Sequence, residues 1–260
     1  MSIVGEPKVY KMTILSNFDS QVENVEKLMN FDRELLSIVI QSVSDLRNRL
    51  RSHHKLDNPM LTADRTLEQL QGFQKNDSLR PRYETIFNQS LVLLVSYFSS
   101  SVQDLFKLAL AAAIDGGADL NLMKEELKFS LRDLSERNFD LKDAIPDLLI
   151  LAKDISFQDM QSISRAFNSH LGIIIEKDEA VNNIILAQGC RHVIVHVGGL
   201  VSERLLKQVA LASPREVKPT LTLHCRVQFS EQEVILVAQN MKKYLTVVAQ
   251  KVQQKYNIPI

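Results

Sequence analysis

The chain has 260 residues, with 31 basic and 31 acidic side chains, six histidines and two cysteines. A net charge of zero gives no overall attraction to nucleic acid, although a local basic patch would still provide one. Two cysteines are too few for a disulfide framework, the N-terminus has no apolar signal core, and the longest apolar runs are too short to cross a bilayer. These features predict a soluble protein of the cytoplasm without a membrane span.

Residues 1–80 predict an N-terminal arm followed by a helical extension. Ser20-x-x-Glu23 is a capping-box pattern that predicts a helix start. After it, one helix face is predicted from apolar residues spaced alternately three and four apart: Leu36, Val39, Val43, Leu46 and Leu50. A basic run over residues 47–55 then either complements the C-terminal helix dipole or faces phosphate. Residues 56–80 predict a connection with at most one short helix.

Residues 81–260 predict a helical domain. Its first helix, about 82–114 with Pro81 at its first position, is apolar on most faces, which is typical of a central helix. Further helices are predicted over 119–134, 140–153 (bent or divided by Pro146), 156–170, 178–198, 201–211 and from Ser230 onward, with a brief strand or ribbon over 220–227. The prediction is an all-α bundle with at most one short β ribbon.

The candidate functional stretch is residues 187–199, which contains two histidines, a cysteine and three glycines. His192 and His196 are four residues apart, so one helix face can present both, and with Cys190 they could form part of a zinc site. The glutamate of a zinc-binding H-E-x-x-H motif is absent, and no partner ligands are evident by spacing. We therefore expect neither a metal nor a cofactor.

Arg191 and His196 permit a different chemistry, the metal-free cleavage of RNA by its own 2′-hydroxyl. Histidine transfers protons near neutral pH, and arginine offers paired donors to phosphate oxygens. On a regular helix the two side chains differ by about 140° in azimuth and about 7.5 Å in rise. Convergence needs a distorted helix end, which Gly198-Gly199 would permit, or two copies meeting across a two-fold axis. The alternative is a structural salt bridge at Arg191 and an ordinary cap or core role for His196.

The sequence from Arg191 to Gly199 resembles the R-x4–6-H signature of the HEPN superfamily. It is most similar to the RiboL-PSP-HEPN and MAE-type branch, which has an Arg-His-x-x-Val-His-Asn-x-Gly pattern. Residues 91–107 resemble the family's long first core helix, 157–172 the short helix before the motif, and 230–256 the closing helix. The resemblance covers roughly residues 82–256.

The resemblance implies a HEPN-like helical bundle, commonly a homodimer, in which the motifs of two protomers form one cleft. It also implies metal-independent endoribonuclease activity, often in toxin–antitoxin or antiphage defence systems, with RNA as substrate and an antitoxin as a neutralising partner. By matching positions, Arg191 and His196 would be the catalytic pair. His192 is a further candidate, for phosphate contact or a structural hydrogen bond. The chain departs from the pattern at Val197, where a polar residue is usual, and the alternative function is a non-catalytic dimerisation or partner-binding module.

Overall fold

The computed structural model describes residues 11–53, 60–80, 85–116, 126, 130–136 and 144–258. The helices are α1 Lys11–His53, α2 Met60–Lys75, α3 Thr85–Asp115, α4 Leu131–Glu136, α5 Ile145–Ala152, α6 Met160–Leu171, α7 Glu179–His196, α8 Glu203–Val209 and α9 Glu231–Tyr256. Within the described ranges, the strand-like pairing is an isolated antiparallel bridge between Leu200 and Arg226. The predicted all-α bundle is confirmed, and the ribbon expected over 220–227 reduces to this bridge.

The centre of the bundle is α3, which packs against α1, α5, α6, α7 and α9. Phe98 of α3 contacts Phe18 of α1 and Tyr244 of α9 edge to face, at centroid distances of 6.5 and 5.5 Å. The helix is long and apolar enough to cross a membrane by length and composition, and 50% of its most apolar window is buried within the chain. Its burial by five neighbouring helices is what the sequence predicts for a central helix.

The first helix begins well before the predicted start, and Ser20-x-x-Glu23 lies inside α1 rather than at a cap. The reason is an earlier apolar stripe with helical spacing that packs on the core: Leu15, Phe18, Val22, Val25 and Met29. Burial of these side chains outweighs the local capping signal. The first half of α1 therefore belongs to the core.

The second half of α1 projects beyond the core and pairs with α2. Its predicted apolar stripe is only partly covered, since Val39 and Leu46 are 38% and 58% exposed. Arg47 and Arg51 form ion pairs with the two carboxylate oxygens of Asp64 on α2, at 3.2 and 3.0 Å. Two arginines of the basic run are thus paired with a carboxylate within the chain. Residues 54–55 of the same run lie outside the residues that the structure describes. α2 is longer than the short helix expected there.

Three predictions in the middle of the chain are wrong. Glu126 and Ser130 are not helical, although a helix was expected from 119 to 134. Pro146 does not bend a helix but lies in the first turn of α5, where its missing N–H removes no helical hydrogen bond. The helix predicted over 156–170 begins only at Met160, where Asp159 caps it by accepting from the Ser162 amide at 2.8 Å. Residues 81–84, 117–125, 127–129 and 137–143 of the predicted helices lie outside the described residues.

The three helices predicted from residue 178 onward are confirmed, namely α7, α8 and α9. Ser230 forms both hydrogen bonds of a capping box with Glu233 at the start of α9. The apolar side chains spaced alternately four and three residues apart on this helix are buried along its length: Val234, Ala238, Met241, Leu245, Val248 and Val252. α9 packs against α7 and α3 and so fixes the helix that carries the candidate residues.

Candidate functional site

The helix that carries the candidate residues is regular up to its end. Asp178 caps α7 by accepting from the Val181 amide at 2.9 Å. At the other end, Val197 and Gly199 both donate to the Val193 carbonyl, at 2.9 and 3.0 Å. The chain turns away only at Gly198, whose φ is 65°. No distortion therefore separates residues 191 and 196, and helical geometry alone does not converge the two side chains within one chain.

Gly189 lies inside α7 because another helix approaches closely there. A Cβ at this position would lie 2.7 Å from Leu205 Cδ1 of α8. The glycine therefore lets α8 pack directly against α7, which brings Arg204 and Gln208 to the same surface as Arg191. The helix continues through this glycine without interruption.

The α7 cleft is a cavity of about 1040 Å³ bounded by α6, residues 175–177, α7, α8, Leu211 and Tyr244 of α9. Both Arg191 and His192, each half-buried, line this cleft. His196 does not line it and is exposed, one helical turn beyond His192. The structure thus brings Arg191 together with His192 at the cleft and leaves His196 outside it.

The lining of the α7 cleft is predominantly basic. Among the described residues that line it, four are basic, namely Arg165, Lys177, Arg191 and Arg204, and two are acidic, namely Asp159 and Glu176. The Asp159 carboxylate is already engaged by the Ser162 amide. A chain of zero net charge therefore has a local cationic surface, the feature that phosphate binding requires.

The two histidines of the stretch are in contact. Their ring centroids lie 5.0 Å apart with 51° between the planes. Burial lowers the pKa of His192, and the positive charges of His196, Arg204 and Arg191 lower it further. The neutral imidazole is therefore favoured at neutral pH, and in that form it can accept a proton or donate one hydrogen bond.

Three buried polar atoms of cleft residues have no hydrogen-bond partner among the described residues: Gln188 Nε2, Arg191 Nε and Tyr244 Oη. Gln188 Oε1 accepts from the Met160 amide at 2.9 Å, which fixes the orientation of the side-chain amide. Burial raises the pKa of Tyr244, so its hydroxyl keeps its proton. Buried polar atoms without partners are uncommon, and three on one cleft mark a candidate binding site.

Sequence reasoning missed Gln188 and Tyr244. Gln188 lies three residues before Arg191, so helical spacing could have placed it on the same side of α7. Tyr244 comes from a different helix, and no local spacing connects it with α7.

The third residue of the possible zinc site faces the core instead. Cys190 is fully buried, and burial raises the pKa of its thiol to about 12. A thiolate ligand is therefore disfavoured at this position. Within the described part of the chain, no group of three or more His, Cys, Asp or Glu side chains is arranged to hold a metal ion.

The end of α7 has an exposed apolar patch around His196. Val195, Val197 and Leu200, hereafter the α7-end patch, are 47%, 42% and 43% exposed. The segment that follows is held in place by backbone hydrogen bonds, since Val227 donates to the Gly199 carbonyl at 2.8 Å and Val201 to Cys225 at 2.9 Å. These three exposed apolar side chains lie within six residues of one another on an ordered segment, so this end of α7 is a candidate contact surface.

The chain matches no family model, no curated protein and no solved structure.

Proposed function

We propose that the chain is a HEPN-type, metal-independent endoribonuclease that acts as a homodimer in the cytoplasm. The observation that carries the proposal is the segment of α7 from Arg191 to His196. It presents an arginine and a histidine to a basic cleft, and it places a second histidine outside the cleft in contact with the first. These are the groups that cleavage by the 2′-hydroxyl of RNA requires.

In the proposed reaction, the 2′-oxygen attacks the adjacent phosphorus while the bond to the 5′-oxygen breaks. His196 acts as the general acid/base: it accepts the proton of the 2′-hydroxyl, and a proton is returned to the leaving 5′-oxygen. Arg191 holds the phosphate oxygens, where its fixed charge stabilises the developing negative charge. The pKa of His192 is lowered, so its neutral form is favoured at neutral pH, and in that form it donates one hydrogen bond to the phosphate. The products are a 2′,3′-cyclic phosphate and a 5′-hydroxyl.

The site is completed by a second copy. His196 is exposed outside the cleft, and the helix between it and Arg191 is regular. A two-fold contact through the α7-end patch would bring His196 of the partner subunit toward the Arg191 of this chain. The exposed apolar residues next to His196 support such a contact.

The test is incubation of purified protein with RNA in EDTA. Wild type should cleave and leave 2′,3′-cyclic phosphate ends, while Arg191→Ala and His196→Ala should each abolish cleavage. Arg65→Ala and His224→Ala are the matched controls, because both side chains are exposed and neither lines the cleft. Undiminished cleavage by His196→Ala would sink the catalytic assignment, and EDTA-sensitive cleavage would indicate a metal-dependent hydrolase.

The second candidate function is a non-catalytic dimerisation or partner-binding module. It is favoured by Val197, which contributes an exposed apolar side chain where the family pattern has a polar one. A wild-type protein that dimerises but cleaves no RNA would establish this function. A toxin or antiphage role, with an antitoxin as neutralising partner, follows from the resemblance and would be tested by growth arrest on expression.

A further inference from the structure

We propose that the α7 cleft contains a subsite for a nucleobase that carries a carbonyl oxygen, formed by Gln188 and Tyr244 beside Arg191. The inference rests on the proposed function, because it places the base of an RNA nucleotide next to the arginine that holds phosphate. It adds base selectivity to a site otherwise defined only by charge.

The subsite is indicated by polar groups that the chain itself leaves unpaired. Gln188 and Tyr244 are each only 4% exposed, both line the cleft, and neither Gln188 Nε2 nor Tyr244 Oη has a hydrogen-bond partner among the described residues. Unpaired buried polar groups destabilise a fold, and they persist mainly where function requires them. A ligand that pairs with both groups would remove that cost.

The unpaired atoms specify the chemistry of the ligand. The Gln188 oxygen is occupied by the Met160 amide, so the side chain offers its NH₂ donors. Arg191 Nε is also a donor, and the protonated Tyr244 hydroxyl can donate as well. The ligand must therefore supply acceptors, and a carbonyl oxygen accepts two hydrogen bonds. Uracil, cytosine and guanine carry such an oxygen, whereas adenine has an amino group and single-lone-pair ring nitrogens.

The remaining wall of the subsite suits a planar ring. Val181 and Ile185 line the cleft on α7, about two turns and one turn before Gln188 respectively. The unpaired donor atoms are buried, whereas Arg165 and Gln208, which also line the cleft, are exposed. The ligand would therefore reach the donors after rotation of cleft side chains, and such rotamer changes are common when a ligand binds.

The experiment is calorimetric titration of the full chain with the 3′-monophosphates of uridine, guanosine and adenosine, and with inorganic phosphate. We expect the uridine and guanosine nucleotides to bind about ten-fold more tightly than the adenosine nucleotide, which corresponds to one net hydrogen bond. Tyr244→Phe and Gln188→Leu should lose this preference and still bind inorganic phosphate. Tyr256→Phe is the matched control, because that hydroxyl donates to the Leu171 carbonyl away from the cleft.

Gln188→Leu also removes the acceptor of the Met160 amide. Tyr244→Phe removes no hydrogen bond to any described residue, so it is the decisive variant. Equal affinity for the three nucleotides, or an unchanged preference in Tyr244→Phe, would overturn the subsite. The two proposals fail separately. A base preference without RNA cleavage overturns the proposed activity and keeps the subsite. Cleavage without a base preference keeps the proposed activity and overturns the subsite.

Discussion

The imidazole rings of His192 and His196 lie 5.0 Å apart on successive turns of α7. The positive charge of His196 is one of the causes that lower the pKa of His192, since like charges repel. The contact joins a cleft residue to an exposed residue, so a change at the exposed residue is expected to act on the cleft.

The first prediction concerns this linkage. In His196→Ala the pKa of His192 should rise, because one of the positive charges that lower it is gone. Histidine resonances followed by NMR across the pH range would measure the shift. Burial, the larger cause, remains in the variant, so the pKa should stay below the ordinary 6.5. A pKa of His192 that does not move in His196→Ala would contradict the coupling.

The lowered pKa of His192 also predicts the direction of a stability change with pH. The unfolded chain binds this proton more readily than the folded chain, so the free energy of unfolding should fall as the pH drops through 6.5. Denaturant titrations of wild type and His192→Asn at several pH values would compare the slopes. The variant should lose less stability over this range.

The second prediction concerns the approach of α8 to α7 at Gly189. In Gly189→Ala the new Cβ would meet Leu205 Cδ1 at 2.7 Å, so we expect a loss of about 1–3 kcal/mol from overpacking. Gly72→Ala on α2 is the control, because a Cβ there meets nothing within 4 Å. It should stabilise the chain by about 0.5–1 kcal/mol. Thermal unfolding of both variants would test whether the two substitutions change the free energy of unfolding in opposite directions.

The third prediction compares two tyrosine hydroxyls. The Tyr256 hydroxyl donates to the Leu171 carbonyl at 3.1 Å, whereas the buried Tyr244 hydroxyl has no partner among the described residues. Tyr256→Phe should therefore cost about 1 kcal/mol, and Tyr244→Phe should be neutral or stabilising. Equal losses in urea unfolding of the two variants would show that the Tyr244 hydroxyl is satisfied in the folded chain.

The fourth prediction concerns the segment that follows the candidate helix. Asn88 of α3, which is buried, donates to the Val227 carbonyl at 2.9 Å and accepts from the Phe229 amide at 3.0 Å. Asn88→Ala leaves both backbone groups unpaired and should cost about 2–4 kcal/mol. The exposed Asn48→Ala on α1 should change stability by less than about 0.5 kcal/mol. Since Val227 in turn binds Gly199, hydrogen exchange at the end of α7 should also increase in Asn88→Ala.

The fifth prediction concerns the dimer. Val197→Glu places a charge in the α7-end patch and should weaken self-association at least about ten-fold, since like charges face each other across a two-fold axis. Light scattering during gel filtration would measure the mass across a range of concentrations. Leu151→Glu, at a residue 79% exposed on α5, should leave the mass unchanged. A monomeric wild type at every concentration would contradict the dimer.

The sequence predicted those elements whose ends depend on nearby residues. The carboxylate of Asp178 and the turn at Gly198 define α7 locally, and both boundaries agree with the prediction. The predicted start of α1 was wrong. Its position is decided by packing of Phe18 against Phe98 and not by the capping pattern at Ser20. Local chemistry identifies a cap, whereas only the assembled core shows which competing signal determines the helix start.

The same distinction applies to the candidate site. A motif of six consecutive residues on one helix identified Arg191, His192 and His196 as candidates. Gln188 and Tyr244 became candidates only when α7 and α9 were seen to border one cleft. The unpaired state of their polar atoms depends on every neighbour in space, which sequence spacing does not reveal.

The two thiols of the chain differ sharply in accessibility. Cys190 is fully buried in α7, while Cys225 is exposed and its carbonyl accepts from the Val201 amide just after the glycine turn. A maleimide dye should therefore attach at Cys225 alone in the folded chain, close to the α7-end patch. Without any engineered substitution, energy transfer between two labelled copies would report when the ends of their α7 helices meet.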